Sequence, residues 1–148
     1  MFISGGAIKN LGMPKKLLMI DTGPHAIPLI LAARKLGYHV ITTGNRAGLG
    51  NNYADEYICA DYNDYDLMSH IVKKNCISSV SSGTSDSASF AASYLDEKFN
   101  MRGHDPFEVI KMLHYKDKFK EFTLSLNIKS PMSKNFNSLR DAIEYKSL

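Results

Sequence analysis

Residues 16–43 read KLLMIDTGPHAIPLILAARKLGYHVITT, and this stretch decides the fold. Its first run, residues 16–21, is short and continuously apolar, as expected of a parallel strand that is buried on both faces. A turn at residues 22–25 follows the strand. A helix then begins near Ala26, because Pro28 is tolerated only in the first turn of a helix.

This helix is predicted to be well buried, because apolar residues occupy two of its sides. Ile30 lies on one side, and Leu29 and Leu36 lie on the other. Gly37 suits the position after a helix end, and residues 38–43 form a second apolar strand. Together these segments predict one β-α-β unit with a right-handed crossover.

The alternation of strands and helices continues to residue 99. We predict a strand at 57–60, a helix at 65–75 capped by Asp64, a strand at 77–81 and an alanine-rich helix at 85–99. Such alternation is typical of the α/β class, here a Rossmann-like parallel sheet of about four strands with helices on both faces. C-terminal helices follow, near 106–113, 116–126 and 138–148, the last capped by Ser138.

The composition is that of an ordinary globular domain. The chain has 148 residues, 44% of them hydrophobic and 22% charged, with a formal net charge of +3. This charge is too small to indicate nucleic-acid binding by itself. No apolar run reaches the length of about 18 residues that spans a bilayer, and the N-terminus lacks the pattern of a signal peptide. Cys59 and Cys76 lie in apolar runs and are predicted to be buried, reduced thiols of a cytoplasmic protein.

Three loops, at residues 21–25, 43–46 and 81–86, follow predicted strands and can carry a ligand, since parallel sheets bind ligands at the carboxyl ends of their strands. The first contains Gly23, Pro24 and His25. It lacks the G-x-G-x-x-G pattern, and the second strand ends without the acidic residue that holds a ribose, so NAD or FAD is disfavoured. The alternative is that this loop is a purely structural turn that contacts no ligand.

The loop after the fourth strand offers hydroxyls and backbone amides that lead into a helix N-terminus. Its candidate binding residues are Ser82, Gly83, Thr84 and Asp86. An anion is favoured at such a position. Ser85 or Asp86 acting only as a helix cap is the open alternative. The five histidines show no spacing typical of a zinc site.

A basic cluster lies further along the chain and consists of Lys111, Lys116, Lys118 and Lys120. A run of this kind is usually a solvated face of a helix. A binding surface for RNA or another acidic partner is an alternative, and it would give a steep dependence on salt.

Three stretches of the sequence are residues 36–43, residues 54–62, and residues 115–131 with the sequence YKDKFKEFTLSLNIKSP. In their order and spacing, these stretches resemble the N-terminal part of ATP-grasp ligases. The resemblance covers about residues 15–148 and is strongest to the branch of biotin carboxylase and the carbamoyl-phosphate synthetase large chain. It implies an N-terminal extension at 1–13, a pre-ATP-grasp domain at 14–104, connecting helices at 105–131 and a truncated start of the ATP-grasp domain at 132–148.

The resemblance also implies a function. The loops after the first and fourth strands would bind a small-molecule acceptor, and Lys118 would contact an ATP phosphate. The full-length protein would use ATP and Mg²⁺ to form an acyl phosphate that a nucleophile attacks. The phosphate-binding strand, the lid and the metal-binding carboxylates of relatives have no counterpart in this sequence.

The chain is therefore expected to be an inactive fragment, without catalytic or metal-binding residues and without a tightly bound cofactor. Its expected partner is the missing ATP-grasp domain, on the same chain or from a split gene. No nucleic acid or membrane is expected as a partner, and a homodimer stays open. The rival hypothesis is a stand-alone Rossmann-like domain that binds a small molecule or a nucleotide sugar.

Overall fold

The computed structural model describes residues 14–146 of the chain. Its strands are β1 (Lys16–Ile20), β2 (His39–Gly44), β3 (Glu56–Cys59) and β4 (Ser79–Ser82). Its helices are α1 (Ile27–Lys35), α2 (Tyr65–Lys74), α3 (Asp86–Phe99), α4 (Phe107–His114), α5 (Lys116–Ser125) and α6 (Leu139–Lys146). Short 3₁₀ helices lie at Pro24–Ala26 and Leu49–Tyr53. The predicted α/β class is confirmed.

The sheet is parallel throughout, and its strand order is β3-β2-β1-β4. The chain therefore builds outward from β1 to β3 and then returns to place β4 on the other side of β1. This reversal makes the gap between the ends of β1 and β4 the topological switch point, where open parallel sheets bind their ligands.

Helices cover both faces of the sheet, as the sequence predicts. On one face, α1 buries Ile30 and Ala33 against Met19 and Val40. On the other face, α2 and α3 cover alternate strand residues that include Leu18. The helix residues that bury completely or almost completely on this face are Met68, Ile71, Val72, Ala88, Ala91, Ala92 and Leu95. Small side chains on α3 allow the close approach to the sheet.

The prediction of a well-buried α1 is wrong. Leu36 is 79% exposed and Leu29 is 44% exposed. One face of α1 meets the sheet, and nothing in the described part of the chain covers the opposite face. Apolar residues on two sides of a helix therefore did not mean burial on two sides.

The prediction of two buried cysteines is also wrong, because both are exposed free thiols. Cys59 is the last residue of β3, an edge strand with a strand neighbour on one side only. Cys76 follows α2 in a left-handed conformation, with φ of 53°, at a turn on the surface. The apolar runs around both residues belong to short elements that end at the surface.

Side-chain caps fix the starts of three helices as predicted. Asp64 accepts a hydrogen bond from the Leu67 amide at 2.9 Å, and Ser85 accepts one from the Ala88 amide at 3.1 Å. Ser138 caps α6 by accepting from the amide three residues later. Each such cap is worth about 1 kcal/mol. Gly37 follows α1 with φ of +86°, a conformation that favours glycine.

The chain divides into two compact units after Phe107. We call residues 14–107 the sheet unit and residues 108–146 the helical unit, each of which is described by itself. The predicted domain boundaries stay predictions. Within residues 14–146, no helix combines the length and the apolarity that crossing a membrane requires.

Candidate functional site

A cleft of about 650 Å³ lies in the sheet unit at the carboxyl ends of β1 and β2. Its walls are the loop at residues 21–24 and the loop at residues 44–49, with Tyr62 beside them. This is the edge of a parallel sheet at which ligands bind. The cleft is therefore the candidate site of the sheet unit.

Asp21 connects this cleft to the switch point. Its carboxylate accepts a hydrogen bond from the Gly23 amide at 2.7 Å and another from the Thr84 amide at 3.3 Å. The first bond closes the turn after β1, and the second joins that turn to the loop after β4. The amides of Gly23 and Thr84, near the switch point, therefore already donate to a carboxylate of the protein itself.

The loops approach so closely that two glycines are required. A Cβ on Gly83 would overlap the side chain of Asp21, and a Cβ on Gly48 would overlap the carbonyl of Thr22. The Gly50 amide donates to that carbonyl at 2.9 Å. The hydroxyl of Thr22 donates to the carbonyl of Arg46 at 3.0 Å, so the two walls of the cleft are joined by hydrogen bonds.

Two charged residues of opposite sign, Asp21 and Arg46, line the cleft. Among residues 14–146, the Arg46 side chain makes no hydrogen bond and no ion pair. The Tyr57 hydroxyl donates to the carbonyl of Gly44, a residue that lines the cleft. Burial and a hydrogen bond with Cys59 raise the pKa of Tyr57 above its ordinary value.

The structure brings together some of the residues that the sequence singles out. Gly23 and Pro24 line the cleft, whereas His25 is exposed in the 3₁₀ turn beside it. Gly83 and Thr84 lie on the far side of Asp21 and do not line the cleft.

Ser82 and Asp86 are also outside the cleft. The Ser82 hydroxyl lies 3.4 Å from that of Ser89. Asp86 is the first residue of α3, which Ser85 caps. The assignment of these residues to substrate binding stays a prediction. Asp21 and Arg46 were not singled out as binding residues. Asp21 ends the first predicted strand and Arg46 lies three residues after the second, and a charged residue at such a position was the available signal.

Lys118 belongs to the helical unit, where it lies exposed on α5. Its ammonium is 5.6 Å from the centroid of the Tyr115 ring, and it makes no ion pair within residues 14–146. A hydrogen bond from Lys111 to Glu108, 2.8 Å long, together with the charges of Lys111 and Lys118, lowers the pKa of Glu108. Lys118 is thus an exposed side chain without an ion-pair partner in this part of the chain, as a contact with an added anion requires.

The described residues contain no cluster of side chains that would hold a metal ion by themselves. No three or more His, Cys, Asp or Glu side chains in this part of the chain are grouped so that they could hold a metal ion. In nucleotide sites, Mg²⁺ is usually held by one or two carboxylates together with substrate phosphates. No group of carboxylates among residues 14–146 marks such a position, and we assign no magnesium-dependent step to these residues.

No protein-family model and no curated protein matches the sequence. Solved structures do match. Phosphoribosylglycinamide synthetase from Anaerococcus prevotii is 27% identical, with a TM-score of 0.70 over 88% of this chain and 34% of that one. L-amino acid ligase from Bacillus licheniformis is 18% identical, with a TM-score of 0.72 over 86% of this chain and 32% of that one.

A third similar structure is N5-carboxyaminoimidazole ribonucleotide synthetase from Thermotoga maritima. It is 21% identical, with a TM-score of 0.63 over 88% of this chain and 36% of that one. The chain thus spans about a third of the length of the proteins it matches. These neighbours are ATP-grasp ligases, so the predicted resemblance is confirmed: the chain has the fold of the N-terminal, pre-ATP-grasp region of that family.

Proposed function

We propose that this chain is the acceptor-side N-terminal region of an ATP-dependent ligase. The observation that carries the proposal is the likeness of its fold, over 88% of its length, to a synthetase with 27% identity. The order of the three resembling sequence stretches supports the carbamoyl-phosphate synthetase-like branch. A cytoplasmic location belongs to the same proposal, because both cysteines are free thiols, as in reducing compartments.

The cleft between the loops after β1 and β2 is the proposed binding site for a small-molecule acceptor. Its walls are joined by hydrogen bonds from the Thr22 hydroxyl to the Arg46 carbonyl and from the Gly50 amide to the Thr22 carbonyl, so the site is formed before a ligand arrives. Bound ATP would supply the phosphoryl group that activates a carboxylate for attack by a nucleophile. The contribution of this chain is to bind and orient the acceptor.

Lys118 is the proposed contact with an ATP phosphate. It is a charged, exposed side chain without an ion-pair partner in the described part of the chain, as a phosphate ligand needs to be. Since the described residues hold no metal-ligand cluster, the remaining phosphate and metal ligands would come from another segment. We therefore propose that the chain alone binds ATP weakly and does not turn it over.

The partner that we propose is the ATP-grasp domain, on the same polypeptide or on a separate one. The chain spans only about a third of the length of each of the three similar structures described above. Large apolar side chains are exposed throughout the helical unit, which is typical of a surface that another domain covers. They include Leu124, Leu126, Ile128, Met132, Leu139 and Ile143.

A chimaera tests this function. In phosphoribosylglycinamide synthetase from Anaerococcus prevotii, the matched region is replaced by this chain, and ADP formation is measured with and without the standard L-amino acids. We expect ADP formation that Lys118→Ala reduces at least about tenfold, the loss expected when a charged hydrogen bond is removed. The control Lys116→Ala should retain the rate, and the chain alone should form no ADP.

Two results would count against the proposal. One is ADP formation by a folded chimaera that Lys118→Ala leaves unchanged. The other is turnover of ATP by the chain alone. Circular dichroism of each chimaera establishes that it is folded before its rate is interpreted.

Hydrogen exchange distinguishes this proposal from a stand-alone binding domain. None of the residues of α6 that the structure describes is buried, and Met132 is 95% exposed. We therefore expect the amides of residues 132–146 to exchange far faster in the isolated chain than those of β1, since protection follows burial and contact density. A stand-alone domain with a stable C-terminal part predicts comparable protection, which mass spectrometry of exchanged peptides would detect.

A further inference from the structure

The two charged residues of the cleft, Asp21 and Arg46, differ in their hydrogen-bond partners. The Asp21 carboxylate is held by the amides of Gly23 and Thr84, and it still lines the cleft. Two hydrogen bonds leave about half of the acceptor capacity of a carboxylate unused. Arg46 lines the same cleft, and its guanidinium has no bonding partner among residues 14–146.

The hydrogen-bonded carboxylate of Asp21 disfavours anionic ligands at the switch point. Backbone amides at the end of a strand and before a helix ordinarily attract phosphate or another anion. Here the amides of Gly23 and Thr84 already donate to Asp21. An anionic ligand at this position would displace a charge of the protein or lie beside a like charge, and both are unfavourable.

We propose that Asp21 and Arg46 select a zwitterionic amino acid as the acceptor and exclude phosphorylated compounds. The ammonium group of the ligand would lie against Asp21, and its carboxylate would pair with the guanidinium of Arg46. This proposal deepens the ligase function and rests on it. An amino acid carries both an amine and a carboxylate, the two groups that a carboxylate–amine ligase joins.

The rest of the cleft agrees with such a ligand. Its other polar side chains, from Thr22, Asn45 and Tyr62, are neutral, so the formal charge of the site is zero before and after a zwitterion binds. A guanidinium is well suited to a carboxylate, because its planar donors match the two oxygens. The volume of about 650 Å³ leaves room for a side chain beyond these two groups.

The test is a titration of the isotope-labelled chain, followed by its amide NMR signals. The probes are the standard L-amino acids one at a time, inorganic phosphate, and the N-acetyl derivative and methyl ester of any amino acid that binds. At least one amino acid should shift the signals of Gly23, Arg46 and Thr84, whereas phosphate should not. Acetylation or esterification should weaken binding about tenfold or more, because each removes one charge-assisted contact.

Substitutions of Asp21 and Arg46 test whether these two side chains bind the amino acid. Asp21→Asn and Arg46→Gln should each weaken the amino acid at least about tenfold. Asp66→Asn on α2 and Arg102→Gln after α3 are the matched controls and should leave the affinity unchanged. Arg46→Gln does not touch the bonds that Asp21 makes, so it stays informative even if Asp21→Asn disturbs the loop.

Three outcomes would overturn the proposal. They are shifts of the same signals by phosphate in the unmodified chain, no binding by any amino acid, and equal binding by the acetylated or esterified forms. The titration contains no ATP and is therefore independent of the ligase test. The two tests can therefore give different answers. If ADP formation by the chimaera depends on Lys118 but the chain binds no amino acid, the proposed acceptor class is wrong and the proposed ligase function stands.

Discussion

Replacing Gly83 by alanine is expected to destabilise the sheet unit and to open the site at the same time. The added methyl group would overlap the Cβ and the carboxylate of Asp21, so either the β1 turn or the β4 loop has to move. Overpacking of this kind typically costs about 1–3 kcal/mol of unfolding free energy. The bond between Asp21 and the Thr84 amide is the contact that such a shift would break first, because it is already 3.3 Å long.

Urea unfolding and amide NMR together measure this effect. Thr84→Ala is the matched control, since it leaves the backbone amide in place and adds no atom near Asp21; its unfolding free energy should change by less than about 0.5 kcal/mol. An unchanged midpoint and an unchanged Thr84 signal in Gly83→Ala would show that the close approach does not constrain the loops.

Replacing Leu18 by alanine is expected to cause the larger loss of stability. Leu18 is fully buried in the central strand β1, where it pairs with Ile41 of β2 and Val80 of β4 in the strand register. Removal of a buried leucine side chain costs about 2–5 kcal/mol, from lost transfer energy and from the cavity that remains. This is a large part of the stability of about 5–15 kcal/mol that a domain typically has.

Leu36 provides the control for Leu18. It is 79% exposed after α1, so Leu36→Ala should change the unfolding free energy by less than about 0.5 kcal/mol. Denaturant midpoints of the two variants, compared at equal slope, measure the difference. Similar losses in both would contradict the position of the core that the structure describes.

The sequence predicted most of the fold because its signals are local. Apolar runs located β1 and β2, and capping side chains such as Asp64 and Ser85 located the starts of helices. The burial of Cys59 and of α1 was predicted wrongly, because burial depends on the order of strands in the sheet. That order places β3 at an edge, and no local pattern encodes it.

The candidate site was less predictable for the same reason. Gly23 and Pro24 lie in a loop that a single strand end identifies. The role of Asp21 depends on an amide 63 positions later in the chain, and the requirement for Gly83 depends on Asp21. Such contacts between distant loops appear only when β1 and β4 are known to be neighbours. The role of Lys118 was predicted from the family resemblance, because the sequence pattern alone does not distinguish it from other lysines on a solvated helix face.

The edges of the sheet also determine how this chain can associate with others. Both edge strands, β3 and β4, are only four residues long, and each offers few backbone groups to a strand from another polypeptide. Long unpaired edges are templates for intermolecular strand pairing and aggregation. With edges this short, recognition of a partner is expected to depend on side-chain surfaces, whose complementarity can be specific in a way that backbone pairing is not.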